Sequence, residues 1–181
     1  AATVTRSISV QDSNAPVVTP PSSITVAATD ASGTANSDAD ITAFLNAATA
    51  LDAVDGSRPV SHNAPLTFPL GATVVTFAAT DLSGNTGQAQ ATVTVTDQSP
   101  PVITLIGGSS ITLNVGDVFS DPGSTVSDNV STGLVATVTG SVNSNTVGLY
   151  TLTYNVSDTA GNPAATVTRS ISVQDSNAPV V

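Results

Sequence analysis

The chain has 181 residues and a formal net charge of −10 at pH 7, with only three basic residues and 13 acidic residues that are all Asp. This charge disfavours binding to nucleic acid and to anionic membrane surfaces, and no run approaches the roughly 20 apolar residues of a membrane span. Because Asp favours turns, we expect the acidic residues in loops. The chain lacks Cys, so its core must be stable without disulfides.

The first and the last 18 residues are identical. Residues 1–18 and 164–181 both read AATVTRSISVQDSNAPVV, at an offset of 163 positions. A natural array with a 163-residue period and an engineered copy of one segment both explain the identity, and we favour the array. We therefore expect residues 1–15 to be the last strand and linker of a preceding repeat, with the strand either paired to a neighbouring chain or continuing a filament. Residues 176–181 would be the linker to the next repeat.

A second repeat lies inside the 163-residue unit. GATVVTFAATDLSGN (71–85) aligns without gaps with GLYTLTYNVSDTAGN (148–162). The unit therefore divides into two modules, residues 16–97 and 98–175. Each module has about the size of an immunoglobulin-like domain.

One helix is predicted in the first module, over residues 37–48. Ser37 is the expected N-cap, and acidic residues follow it in the first turn. The helix would bury an apolar stripe formed by Ile41, Phe44, Leu45 and Ala48.

The rest of the chain shows the alternation of strands with one buried face. One such face is formed by Ala91, Val93 and Val95, and a second by Tyr150, Leu152, Tyr154 and Val156. Arg169 interrupts a third apolar face, so we expect a bulge or a side chain that reaches out to solvent. Short strands separated by turn residues predict an all-β chain of two tandem immunoglobulin-like β-sandwiches, with one short helix in the first.

Two families are recognisable in these motifs. The segments DAVDG (52–56), ATDLSGN (79–85) and ATVTVTD (91–97) make the first module resemble the HYR (hyalin repeat) family. The segments PPVITLIGGSSITLNVGDVFSDPG (100–123) and VGLYTLTYNVSDTAGN (147–162) make the second resemble the bacterial Ig-like surface-protein domain. The resemblance implies the repeat region of a bacterial surface adhesin, located outside the cell.

The Asp residues recur in three kinds of loop: the linkers, a turn placed between strands B and C, and the turn before the last strand. In an immunoglobulin-like sandwich the B–C and F–G loops lie at the pole where the chain enters. Carboxylate and amide oxygens there suit Ca²⁺, which takes six to eight oxygen ligands. The candidate ligands are Asp12, Asn14, Asp52, Asp55 and Asp81 for the first module, Asp97, Asp128 and Asp158 for the second, and Asp175 for the next repeat.

A metal-free alternative stays open for these residues, because Asp-x-x-Gly-Asn is a good turn sequence by itself. The linker sequence DSNAP also resembles the inter-domain linker of cadherins, which implies calcium between successive domains.

Catalysis is not expected, because His62 is the only histidine and has no acidic neighbour in sequence.

Three functions are compatible with the sequence. The repetition favours a structural extender in a long extracellular adhesin or filament, with neighbouring copies joined head to tail and the adhesion ligand bound outside this fragment. The alternatives are an accessory module of a secreted multidomain hydrolase and a module that binds a ligand directly. Direct binding would need an exposed aromatic platform or a polar groove.

Overall fold

A computed structural model describes residues 3–176, which form two compact units. The first unit contains residues 3–27 and 32–96, and the second contains residues 28–31 and 97–176. Among these residues both units are built mainly from β-strands, and one short helix occurs in the first unit. The chain is thus all-β, with two units of the immunoglobulin-like sandwich class. Within the described part of the chain, no helix is long and apolar enough to cross a membrane.

The first unit has short strands and one helix, followed by two long strands that form a hairpin. Its elements are β1 (Val17–Thr19), β2 (Ile24–Ala27), β3 (Thr34–Ala35), α1 (Ala39–Asn46), β4 (Thr49–Asp52), β5 (Gly56–Ser57), β6 (Ser61–His62), β7 (Thr67–Phe68), β8 (Gly71–Thr80) and β9 (Thr86–Thr96). The main sheet has the order β2-β9-β8-β6, and smaller sheets have the orders β1-β4-β5 and β3-β7. The long hairpin β8–β9 runs in register from Gly71 opposite Val95 to Thr80 opposite Thr86.

The second unit repeats the arrangement of the main sheet. Its strands are β10 (Val102–Leu105), β11 (Ser110–Asn114), β12 (Ser124–Ser127), β13 (Thr137–Thr139), β14 (Gly148–Asn155) and β15 (Val167–Gln174). The main sheet has the order β11-β15-β14-β13, and β10 pairs with β12. In both units an early strand pairs in parallel with the last strand, as β2 does with β9 and β11 with β15.

The predicted strand faces form the cores. Ala91, Val93 and Val95 are buried in the first unit, which confirms the alternation expected there. In the second unit Leu152 and Tyr154 are buried with the neighbouring side chains of β15. Period-two burial follows from the pleat, which turns successive side chains to opposite faces of the sheet.

The helix begins at a different residue from the one predicted. Asp38 is the N-cap instead of Ser37, and its Oδ1 accepts hydrogen bonds from the backbone N–H groups of Asp40 (3.0 Å) and Ile41 (3.3 Å). A carboxylate at this position also interacts favourably with the helix dipole. Ile41 and Phe44 are buried as predicted, and the Phe44 and Phe77 rings pack in a T-shaped arrangement with their centroids 5.7 Å apart.

The prediction for Arg169 was wrong. β15 pairs with β14 without a bulge, with Arg169 opposite Leu152, and the Arg169 side chain is fully buried. Its guanidinium forms an ion pair with Asp121. A charged side chain can remain in the core because the structure supplies this partner.

The two ends of the chain were expected to contain a strand and linkers. Residues 3–10 form no strand, and the side chains of Val4, Ile8 and Val10 are exposed. The assignment of residues 1–15 to a preceding repeat stays a prediction, and residues 1–2 lie outside the described residues. Of the expected linker 176–181, only Ser176 is described.

Candidate metal centres

Three carboxylates of the first unit meet at one point. Asp12 precedes β1, Asp52 is the last residue of β4, and Asp55 lies in the turn between β4 and β5. Each places one carboxylate oxygen within 4.8 Å of the other two. We call Asp12, Asp52 and Asp55 the first Asp cluster. The structure thus brings together three of the residues that the sequence selected as ligands.

Asp52 is the most deeply placed member of this cluster, with only 3% of its surface exposed. Its Oδ1 accepts hydrogen bonds from the backbone N–H groups of Val54 (2.8 Å) and Asp55 (2.9 Å). Its Oδ2 is buried and has no hydrogen-bond partner. One oxygen therefore closes the turn, and the other remains available to a ligand.

Asp12 shows the same division of its two oxygens. Its Oδ1 accepts a hydrogen bond from the backbone N–H of Asn14 (3.0 Å), and its Oδ2 is buried without a partner. The Asp12 backbone carbonyl accepts a bond from the Asn85 side-chain amide (3.2 Å). In Asp55, Oδ2 accepts a bond from the backbone N–H of Leu82 (2.7 Å). The turn between β8 and β9 therefore holds both Asp12 and Asp55.

Asp81 lies beside this cluster but is not one of the three grouped acids. It is buried, and its carboxylate accepts hydrogen bonds from the backbone N–H and the side-chain amide of Asn85, both at 2.7 Å. Desolvation opposes ionisation, but the hydrogen bonds from the Asn85 side chain and from turn backbone amides outweigh it and lower the pKa of Asp81. Asp81 thus stays charged and holds Asn85 against the Asp12 carbonyl.

The second unit contains an equivalent group, formed by Asp97, Asp128 and Asp158. Their carboxylate oxygens also lie within 4.8 Å of one another, and we call them the second Asp cluster. The Oδ2 atoms of Asp97 and Asp128 are buried without a partner. The other oxygens close local turns, because Asp97 Oδ1 accepts from Ser99 N–H (3.1 Å) and Asp128 Oδ1 accepts from Val130 N–H (2.9 Å).

Asp158 has the surroundings of Asp81. Its carboxylate accepts hydrogen bonds from the backbone N–H (2.8 Å) and the side-chain amide (2.7 Å) of Asn162, which also donates to the Asp97 carbonyl (3.2 Å). Desolvation is again outweighed by the bonds from the Asn162 side chain and from backbone amides, so the pKa of Asp158 is lowered. Both units thus connect the incoming segment to the last hairpin through one Asn.

The remaining predicted ligands are placed differently. Asn14 contacts Asp12 through its backbone N–H, and Asp175 follows β15 outside both Asp clusters. The connecting role of Asn85 and Asn162 was not predicted from the sequence. A signal was present, because both occupy the same position after Gly in the two aligned hairpins.

The donor set fits a hard divalent cation. Every unpartnered buried oxygen in the two clusters belongs to a carboxylate, and such oxygens are the ligands that Ca²⁺ prefers. At 4.8 Å two like charges repel by about 3 kcal/mol at an effective dielectric constant of about 20. A cation bound between them would replace this repulsion with attraction and would supply the missing partner of each Oδ2.

Two family models match the chain in consecutive segments. Residues 11–95 match the HYR domain, and residues 103–173 match the Ig-like domain of bacterial surface proteins. These matches confirm the resemblance of each module, and the model matched by the second module describes a domain of bacterial surface proteins. A search of curated proteins finds no significant match.

Several solved structures are similar to parts of the chain. The lipoprotein BT2262 from Bacteroides thetaiotaomicron is 29% identical over 44% of this chain, with a TM-score of 0.38, and the chain spans 40% of its length. The match to human protocadherin-24 EC1-2 covers 90% of this chain and the whole of the protocadherin chain, with 15% identity and a TM-score of 0.39. The match to mouse cadherin-23 EC22-24 covers 90% of this chain and 65% of the cadherin chain, with 15% identity and a TM-score of 0.32. Because these scores are low, the fold assignment rests on the strand pairing and the family matches.

Proposed function

We propose that this chain, which joins an HYR module to an Ig-like module of the bacterial surface type, is a spacer segment of a long extracellular adhesin or filament. In this proposal each Asp cluster binds calcium and fixes the incoming segment to its module. The observation that carries the proposal is the buried, unpartnered Oδ2 of Asp12 and Asp52. An ion held by both would connect the segment before β1 to the end of β4.

The aromatic residues favour a spacer over a module that binds a ligand directly. A binding face of this kind would need exposed aromatic rings, which supply large contact areas at interfaces. All six aromatic side chains of the chain are buried or half-buried: Phe44, Phe68, Phe77, Phe119, Tyr150 and Tyr154. They stabilise the modules and leave the described surface without an aromatic platform.

Thermal unfolding in calcium and in chelator tests the metal part of the proposal. We expect millimolar calcium to raise the melting temperature by about 10 °C or more, because an ion at 100 times its dissociation constant adds about 2.7 kcal/mol. Asp52→Asn should abolish this response in the first unit. The amide oxygen of Asn still accepts the turn bonds of Asp52 Oδ1, so the turn should persist.

Asp38→Asn is the matched control, because Asp38 also accepts two backbone bonds through Oδ1 but lies outside both clusters. It should leave the calcium response unchanged. If the wild-type melting temperature is the same in calcium and in chelator, the Asp residues are structural turn residues and the calcium proposal is wrong.

A further inference from the structure

The two Asp clusters are built on the same turn, with one difference. Asp52 Oδ1 accepts the backbone N–H groups two and three residues later, and Asp128 Oδ1 does the same with Val130 (2.9 Å) and Ser131 (2.6 Å). The third residue after the turn acid is Asp55 in the first unit and Ser131 in the second. A carboxylate of the first cluster is thus replaced by a hydroxyl.

The contacts confirm that these two side chains occupy equivalent positions. Asp55 Oδ2 accepts the backbone N–H of Leu82, the residue after Asp81, at 2.7 Å. Ser131 Oγ accepts the backbone N–H of Thr159, the residue after Asp158, at 3.3 Å. Ser131 is buried, and its hydroxyl also shares a hydrogen bond with the Thr159 hydroxyl at 2.8 Å. The serine therefore keeps the contact between the two loops but contributes no charge.

The charge of the two sites differs as a result. The first site has four carboxylates, namely the three of the first Asp cluster and that of Asp81, which holds Asn85 beside the cluster. The second site has three, because Asp158 is both the equivalent of Asp81 and a member of the second Asp cluster. The first site also has the more deeply buried turn acid, since Asp52 is buried and Asp128 is half-buried.

We infer that the two sites bind calcium with unequal affinity, and that the substitution of Ser131 for Asp55 makes the second site the weaker one. The inference rests on the calcium sites of the proposed function. Calcium affinity depends on the number of charged ligands, and a fourth carboxylate adds attraction for the ion at the first site. At intermediate calcium concentrations the first site is loaded and the second is not, so a repetitive array would alternate tight and weak sites.

Isothermal titration of the full 181-residue chain with calcium after chelator treatment tests the inference. We expect two classes of site whose dissociation constants differ by about tenfold or more. Asp128→Asn should remove the weaker class, and Asp52→Asn should remove the tighter one.

An exchange of the two residues gives the sharper test. Ser131→Asp should tighten the second site toward the affinity of the first, and Asp55→Ser should weaken the first toward that of the second. Asp55→Asn provides a second variant that retains an oxygen acceptor for Leu82 N–H. Circular dichroism of each variant verifies the fold.

Four results would overturn the inference, and they separate its failure from that of the proposed function. Two sites of equal affinity in the wild type, or a Ser131→Asp variant with unchanged affinities, would refute the inequality and leave calcium binding intact. A weaker class that disappears with Asp52→Asn would reverse the assignment. A titration without any binding would refute the inequality together with the calcium part of the proposed function.

Discussion

At the scale of single residues, the fully buried Arg169 shows how the second unit accommodates a charge. Its guanidinium forms an ion pair with Asp121 and donates to the backbone carbonyls of Ile106 (2.7 Å) and Gly123 (3.1 Å). The Tyr154 hydroxyl donates a hydrogen bond to the same Asp121 carboxylate (2.7 Å). Because two loops, β10–β11 and β11–β12, supply these oxygens to a side chain of β15, the pair depends on the complete fold of the unit.

Removal of the negative partner should destabilise the second unit strongly. Asp121→Asn leaves the buried guanidinium without its counter-ion, which costs about 3 kcal/mol when one member of a buried pair is lost. Urea unfolding should show this loss for the second unit. Asp117→Asn is the control, since Asp117 is an exposed acid of the same unit, and it should cost less than about 1 kcal/mol. Equal losses for the two variants would contradict a stabilising role of the buried pair.

The Tyr154 hydroxyl predicts a pH dependence at alkaline pH. Desolvation and the hydrogen bond to Asp121 raise the pKa of Tyr154 to about 12, although the charge of Arg169 opposes the shift. The unfolded chain releases this proton at a pH of about 10. The contribution of the neutral Tyr154 hydroxyl to the free energy of unfolding is therefore fully present below pH 10, and it is lost as the pH rises toward 12.

Urea unfolding of the second unit at pH 9 and pH 11 measures this effect. The free energy of unfolding should fall between the two values, and Tyr154→Phe should remove that part of the fall. Tyr150→Phe, which alters the other tyrosine, should retain it. A Tyr154→Phe variant with the pH dependence of the wild type would exclude Tyr154 as the titrating group.

At the scale of elements, strand β9 holds the segment that enters the first unit. Gly87 lies in β9 opposite Ala79, and the backbone of the buried Pro16 packs directly against it. A Cβ atom at Gly87 would lie 1.9 Å from the Pro16 carbonyl oxygen. An isolated Gly within a strand pattern indicates such a close approach of two backbones.

Gly87→Ala should therefore displace the incoming segment. The clash should cost the first unit about 1–3 kcal/mol and should reduce its stabilisation by calcium, because Asp12 precedes Pro16 by four residues. Gly148→Ala in β14 is the matched control, since its Cβ would meet the Tyr150 ring at an ordinary 3.6 Å. Melting curves in calcium and in chelator measure both effects. A calcium response in Gly87→Ala equal to that of the wild type would show that the packing of Pro16 does not position Asp12.

At the scale of the whole molecule, we propose a head-to-tail array in which every module would receive an Asp from the segment before it. The sequence DSNAP, which carries Asp12, recurs at residues 175–179. In such an array, rigidity would depend on how firmly each incoming segment is held. Calcium should therefore change the flexibility of the chain as well as its stability.

Small-angle X-ray scattering measures this flexibility. We expect the profile in chelator to indicate greater flexibility of the chain than the profile in calcium. The double variant Asp52→Asn with Asp128→Asn should resemble the chelator state in both conditions, while Asp38→Asn should behave as the wild type. Identical profiles of the wild type in calcium and chelator would contradict calcium stiffening.

The sequence by itself determined the strand faces, the helix within about two residues and the families of the two modules. These features depend on neighbouring residues, because side-chain alternation, capping and turn chemistry are local properties. The tertiary structure alone decided which polar groups meet. It placed Arg169 against Asp121, 48 positions away in the chain, and it linked Asn85 to Asp12 and Asn162 to Asp97. It also placed Asp55 and Ser131 at equivalent positions. Such contacts join distant segments, and no local periodicity encodes them.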